Sequence, residues 1–256
     1  MIDLATILGS RINTSALIND LYIPANSIAE RLQSFSEPAL FHTNGMGQYH
    51  LSKSGSLTKI KAANRYFALI TQHQLKAADY EYEQLCIFGS SPGRLVTSQS
   101  AIFSTDEAEQ TDFDCVIFEF TEGVQSGLID SGGWYNLGLE LSDEYTPKPL
   151  IVCAIGYPGY RNNFDYENYV YPVSPNAIWG NECNTKVHAR LAFEPHSPVD
   201  YDPIGMSGCP VFGIKLAENS VEVFLAGILT NASNKILHFL PRKRITSALH
   251  PRLIDK

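Results

Sequence analysis

The sequence predicts an all-β protein, a sandwich or a pair of packed barrels, and three observations carry that expectation. From about His50 onward, about ten to twelve short β-type runs follow one another, separated by Gly, Pro, Asn and Asp. Helical periodicity is scarce within that stretch, which argues against alternating strands and helices. The 256 residues, 44% hydrophobic and 18% charged, suffice for one large all-β domain or two small subdomains sharing a core.

Taken in order, the start "MIDLATILGSRINTS" has no basic region followed by an apolar one and does not read as a signal peptide. "TSALINDLYI" reads as a short helix. "PANSIAERLQSF" reads as another, with Ile28, Leu32 and Phe35 on one face and Asn26 or Ser27 as N-cap. Residues 1–45 are thus expected to be a helical N-terminal extension, either packed on the main domain or serving as an arm for a regulatory partner. The strands follow: "SLTKIKA" alternates, "RYFALIT" is a buried run, and "YEQLCIFG", "RLVTSQSAIFS" and "DCVIFEF" come next. "LIVCAIGYP", "KVHARLAFE", "CPVFGIKL", "VEVFLAGILT" and "KILHFLP" complete the set. Gly156–Cys183, rich in Tyr, Asn and Pro, is expected to be irregular: a functional loop, or an aromatic cover for a barrel end. The tail "RITSALHPRLIDK" reads as a short helix ending before Pro251.

Composition excludes several function classes. A net charge of −8, with Arg242-Lys243-Arg244 the sole basic cluster, gives no footprint for nucleic acid. No window approaches the 18 or so apolar residues that a membrane helix needs. Cys86, Cys115, Cys153, Cys183 and Cys209 are odd in number and have no close pairs, which reads as reduced thiols in a cytoplasmic protein. Cys183 and His188 are the nearest approach to a metal motif and form only a lone pair, so neither a metal nor another cofactor is expected.

The stretch "YDPIGMSGCPVFG" raises the question of chemistry. Ser207 in a glycine-rich bend is either a turn residue or a nucleophile held in a backbone nest. A hydrolytic serine needs a base, a group to orient the base, and donors aimed at an oxyanion. His73, where "RYFALITQHQL" leaves its apolar run, can be the base, since neutral imidazole accepts a proton near physiological pH. Asp114, directly before the apolar run Cys115–Phe118, can orient it; Asp112 shares its strand parity and is the rival. The amides of Gly205 and Ser207 can face one concavity, because Gly205 permits the bend.

Together these segments resemble the trypsin-like serine peptidases, and in particular an intracellular bacterial-type branch. "ALITQHQL" resembles the family's strand ending in Thr-Ala-x-His, and "DCVIFEF" its Asp before alternating aliphatics. "IGMSGCPVF" resembles Gly-x-Ser-Gly-Gly-Pro-Val, "FLAGILTN" the Gly-Ile-Val-Ser strand, and "VCAIGYPG" a strand end of the bacterial and intracellular members. His73, Asp114 and Ser207 also come in the family's order, 41 and then 93 residues apart. The resemblance covers about residues 50–240. It implies two six-stranded β-barrels, about 46–125 and 145–245 within a domain of 46–256, with His73, Asp114 and Ser207 as triad in the cleft between them. Gly205 and Ser207 would form the oxyanion hole, and Thr230 would stand behind the aspartate. The activity implied is endopeptidase cleavage of a protein or peptide substrate, with restricted specificity or a partner as trigger.

The departures bear on the same site. Cys209 replaces the family's second glycine, and Met206 the aspartate that secretory trypsins pair with a freed N-terminal amine. Gln72 stands beside the base where alanine is usual. The specificity pocket is expected from Asp200–Ile204 and Thr230–Ala232. Tyr201 can fill it, Asn231 can line it, and Asp202 is either a selector of basic residues or an ordinary Asp-Pro turn residue. An α/β-hydrolase is poorly supported, because "GMSGC" lacks the last glycine of Gly-x-Ser-x-Gly and the triad order differs. Cys209 as nucleophile lies two residues past the aligned position. The rival of another class is a catalytically silent trypsin-like domain used as a protein-binding or scaffold module.

Overall fold

Residues 15–42, 51–76, 85–103, 112–138, 151–161, 174–216 and 221–254 are described by the structure, a computed structural model. The strands of the first half are β1 (Ser15–Ile18), β2 (Leu21–Pro24), β3 (Ser36–His42), β4 (Leu51–Ala62), β5 (Arg65–Ile70), β6 (Leu85–Phe88), β7 (Leu95–Thr97), β8 (Ser100–Ile102), β9 (Val116–Glu119) and β10 (Tyr135–Asn136). Those of the second are β11 (Ile151–Gly156), β12 (Asn176–Cys183), β13 (Leu191–Pro195), β14 (Pro210–Leu216), β15 (Val221–Ala232) and β16 (Leu237–Pro241). The helices are α1 (Ile28–Gln33), α2 (Gln72–Lys76), α3 (Thr121–Gln125) and α4 (Arg242–Ile254).

Strands β14-β11-β12-β13-β16-β15 run in that order, and β14 pairs again with β15, so six strands close into a barrel. The other sheet runs β7-β6-β3-β4-β5-β9-β8 and curls without closing among the described residues, with β10 laid parallel against β4. The expected all-β double-barrel architecture is therefore present as one closed six-stranded barrel and one curled sheet packed against it. The sheets share one apolar core. Phe35, Tyr135 and Phe212 meet there with ring centroids 5.4 to 6.1 Å apart, and Phe67, Ile117 and Ile228 pack around them. Each sheet also fills its own interior, around Phe118 and Trp134 in the first and Phe193 and Phe239 in the barrel.

The N-terminal extension differs from expectation in part. Its helix is present as α1, with Ile28 and Leu32 buried, although Ser27 caps it by position without a side-chain bond. "TSALINDLYI", however, is a β-hairpin. Asn19 and Asp20 take φ of 51° and 63°, the left-handed pair that a two-residue hairpin turn requires. β1 then pairs parallel with β15, so the hairpin extends the second barrel's edge. β3 is already a member of the first sheet, which thus begins at Ser36, inside the stretch read as extension. The expected boundaries at 45/46 and at 145 lie outside the described residues.

Three further expectations are corrected. "KVHARLAFE" is a strand only from Leu191, because Ala189 takes φ 57° and breaks the run into a loop. Conversely, Asn176–Cys183, read as irregular, is β12, while residues 162–173 of the same segment lie outside the described residues. The C-terminal helix continues through Pro251 to Ile254, and the Arg65 guanidinium donates to the Arg252 carbonyl at 2.8 Å near that last turn.

Arg65 also grips Glu119 with two donors, Nε to Oε1 at 2.8 Å and Nη2 to Oε2. Burial alone would raise the Glu119 pKa, but the bonds from Arg65 and Thr121 and the charge of Arg65 outweigh it and hold the carboxyl below its ordinary value. A depressed folded-state pKa means that this stabilisation is complete above the unfolded-state value and is lost as pH falls through the folded one. Arg65→Met leaves a buried carboxylate without its partner, and chemical denaturation is expected to show a loss of about 3–5 kcal/mol at neutral pH that shrinks on acidification.

Candidate active site

β5 ends at Ile70, and α2 opens two residues later, turning the chain so that His73 leaves the sheet. Gln74 makes this turn rigid. Its Oε1 accepts from the Thr71 N–H at 2.7 Å and from Thr71 Oγ1 at 2.8 Å, while Nε2 donates to the Ser54 and Ser56 carbonyls of β4. Asp114 enters from the segment ahead of β9 with φ 23°, a left-handed conformation that Asp tolerates better than most residues. Its carboxylate receives the His73 backbone N–H on Oδ1 at 3.1 Å and faces His73 Nδ1 with Oδ2 at 2.9 Å. That bidentate contact sets both the position and the tautomer of the imidazole. The rival Asp112 is occupied elsewhere, with Oδ1 3.1 Å from His188 Nδ1.

Ser207 lies on the loop before β14, and two glycines shape it. Gly205 has φ +94°, and a Cβ there would stand 2.8 Å from the Gly159 nitrogen and 2.9 Å from the Tyr157 carbonyl oxygen. Gly208 has φ +83° and packs directly on the Ser56 carbonyl. β4 holds the loop through its main chain: the Ser56 N–H donates to the Ser207 carbonyl at 3.0 Å and Thr58 Oγ1 to the Gly208 carbonyl at 2.7 Å. Ser56 Oγ donates to the Gly205 carbonyl at 2.7 Å and accepts from the Tyr157 N–H at 2.8 Å. Removing that hydroxyl takes the partner from the buried Tyr157 N–H and the half-buried Gly205 carbonyl, so Ser56→Ala is expected to cost about 1–3 kcal/mol in a urea titration.

The loop's amides divide into two sets. Ile204, Met206, Gly208 and Cys209 all donate, to Asp202 Oδ1 and to the Pro203, Leu229 and Met206 carbonyls. The N–H groups of Gly205 and Ser207 have no acceptor among the described residues. The carbonyl of each preceding residue is engaged instead, Ile204 by the Gly159 N–H and Met206 by the Cys209 N–H. In a trans peptide the N–H points opposite its carbonyl, so both amides are turned away from these anchors.

His73, Asp114 and Ser207 line one cleft of about 510 Å³. Thr230, Asn231 and Ala232 line it, and so do Arg190, His238 and the exposed apolar side chains of Val187 and Ile204. Nε2 of His73 faces Thr71 Oγ1 at 3.2 Å, and the Ser207 hydroxyl has no hydrogen bond among the described residues. The imidazole is thus joined to its acid but not to the serine. Thr230 does not bond Asp114; its hydroxyl donates to the His238 carbonyl and accepts from Arg190 Nε.

Other expected residues take structural places. Tyr201 packs against Tyr160, with ring centroids 5.1 Å apart, and is not among the residues lining the cleft. Asp202 is exposed and accepts the Ile204 N–H at 3.0 Å, the ordinary turn role. Gln72 is buried off the cleft, and Met206 is fully buried in the barrel core. Cys209 is buried too, and desolvation pushes its thiol far above the ordinary value, which leaves it an inert core residue. All five cysteines are thiols, four of them buried. No cluster of three potential metal ligands occurs among the described residues.

No family model matches the chain, and no curated protein matches it. Among solved structures, human heparin binding protein is similar in fold, with a TM-score of 0.54 at 10% identity over 88% of this chain and 94% of that one. The fold is the chymotrypsin double barrel. At that identity the likeness speaks for the chymotrypsin fold alone, and the chemistry has to be argued from the cleft.

Proposed function

We propose that this chain is a serine endopeptidase that cleaves a protein or peptide substrate by acyl transfer. The observation that carries this reading is the pair of amides, Gly205 and Ser207, which have no acceptor among the described residues and flank a serine that lines the same cleft as the His73–Asp114 pair. In the reaction, Ser207 Oγ attacks the scissile carbonyl while His73 Nε2 takes its proton. The two amides receive the oxyanion, His73 returns the proton to the leaving amine, and water repeats the sequence to release the acid. Asp114 holds the imidazole through Nδ1 and stabilises the imidazolium.

One step must precede this. His73 Nε2 has to leave Thr71 Oγ1 and swing to Ser207, a rotation that keeps the Nδ1 contact with Asp114 within reach. Catalytic hydrogen bonds are often long in unliganded sites and tighten with substrate. This resting geometry supports a peptidase triggered by its substrate or by a partner. The same observation favours the second reading, a binding module whose serine is never activated.

Labelling with a fluorophosphonate separates the two. Wild-type protein is expected to bind the probe covalently, Ser207→Ala not at all, and His73→Ala only at a greatly reduced rate. A wild-type protein that stays unlabelled over the whole pH range in which it is folded would favour the binding module, or a peptidase awaiting its trigger, over one active by itself.

A further inference from the structure

Thr230 points to a residue that the mechanism has not yet used. Its hydroxyl is 3.1 Å from Nε of Arg190, whose Nη1 donates to the carbonyl of Asp112 and, at 3.3 Å, to that of Ala189. Asp112 belongs to the segment that carries Asp114 into β9 of the first sheet, whereas Thr230 sits on β15 of the closed barrel. One planar group therefore spans the two halves of the cleft. We propose that Arg190 is a positioning residue, clamping the Asp114 segment to the barrel so that the Asp114 carboxylate stays aligned with His73. The proposal rests on the reading of His73 and Asp114 as base and orienter.

Several features support the clamp. Asp114 is held at φ 23°, a conformation that persists only where the surroundings over-determine it. Arg190 fixes the segment two residues upstream through the Asp112 carbonyl, and His188 fixes the Asp112 side chain from the same loop. Both reach because Ala189, at φ 57°, ends the strand pattern and turns the loop towards the first sheet. Thr230 is itself anchored, since its hydroxyl donates to the His238 carbonyl at 3.2 Å, so the clamp bears on paired strands β15 and β16. Burial lowers the Arg190 pKa, while the charges of Asp114 and then Asp112 oppose that shift and Arg244 reinforces it. The side chain remains a cation and is drawn to the segment it holds. A lysine cannot replace it, because one ammonium lacks the planar fork that reaches Thr230 and Asp112 together.

The test reads His73 directly. In ¹⁵N-histidine-labelled full-length protein, the proton on His73 Nδ1 bridges to Asp114, and its exchange with water reports how firmly that pair is held. Arg190→Met is expected to speed this exchange at least about tenfold and Arg190→Lys to give an intermediate rate. Guanidinium ion at millimolar concentration should slow exchange again in Arg190→Ala, a rescue that a lost packing contact would not show. Fluorophosphonate labelling of Ser207 should fall in parallel, by about 10²-fold for a misplacement of an ångström. If Arg190→Met fails to fold, Arg190→Lys and the rescued Arg190→Ala carry the measurement. An unchanged exchange rate in folded Arg190→Met, or a wild-type rate in Arg190→Lys, overturns the clamp. Faster exchange in a protein whose wild type takes no label upholds the clamp and overturns a peptidase active without a trigger.

Discussion

Turnover is expected to fall by about 10⁶-fold in His73→Ala or Ser207→Ala, and by about 10⁴-fold in Asp114→Asn. The two magnitudes differ because the residues do different things. Without His73 or Ser207 no proton is taken or no acyl-enzyme forms, and what remains is whatever the Gly205 and Ser207 amides and substrate binding supply. Asn at position 114 keeps the shape that meets His73 at 2.9 and 3.1 Å, but its amide group can no longer act purely as an acceptor. The imidazole then takes the wrong tautomer and its cation loses a counter-charge. The measurement is kcat on a peptide substrate for each single variant and for the His73→Ala, Ser207→Ala double variant. Residues acting as a unit are non-additive, so the double variant should be no slower than the worse single one. An Asp114→Asn enzyme within tenfold of wild type would show that Asp114 does not orient the base.

The largest loss of stability is expected from Gly208→Ala. At φ +83° any Cβ is strained, and this one would enter the Ser56 carbonyl and the Gln74 amide. Neither can give way. Ser56 lies in mid-strand and Gln74 is bonded to Thr71 and to β4, while Gly208 is itself tied through its N–H to Leu229 and through its carbonyl to Thr58. A cost of about 4 kcal/mol or more follows, at the extreme of single substitutions. Gly93→Ala is the control: its φ of +72° is equally left-handed, but nothing lies within 4 Å of the added Cβ. There only the backbone penalty of about 1–2 kcal/mol applies. Denaturation midpoints of the two variants, compared with wild type, read the difference. Equal losses would mean that the wedge between β4 and the Ser207 loop is not what Gly208 relieves.

Much of this architecture was legible in the chain. Short apolar runs such as "VEVFLAGILT" read directly as strands, and in β15 Val221, Val223 and Leu225 face inward in turn. The cleft residues His73, Asp114 and Ser207 were legible because each stands at a junction between an apolar run and a turn, where a polar side chain reaches solvent. The misread elements have equally definite causes. Leu17, Ile18, Leu21 and Tyr22 fit a helical stripe, and only the left-handed Asn19-Asp20 turn makes them a hairpin. Asn176–Cys183 has weak strand character of its own and becomes β12 by pairing with β11 and β13. The loop holding Arg190 looked like a strand because nothing local announces a positive φ at alanine.

By itself the sequence determined the all-β class, the junctions that carry His73, Asp114 and Ser207, and the glycines beside the serine. These depend on properties local to a few residues: side-chain alternation, apolar runs, and the conformations that glycine alone adopts freely. Tertiary structure decided which partner each polar group takes. It placed Asp114 rather than Asp112 on His73, gave Thr230 to Arg190, and seated Ser56, Thr58 and Gln74 beneath the Ser207 loop. Those contacts join residues from 18 to 150 positions apart. Such pairings arise only when two sheets close on a common core, because a hydrogen bond depends on distance and direction in space and leaves no periodic mark along the chain.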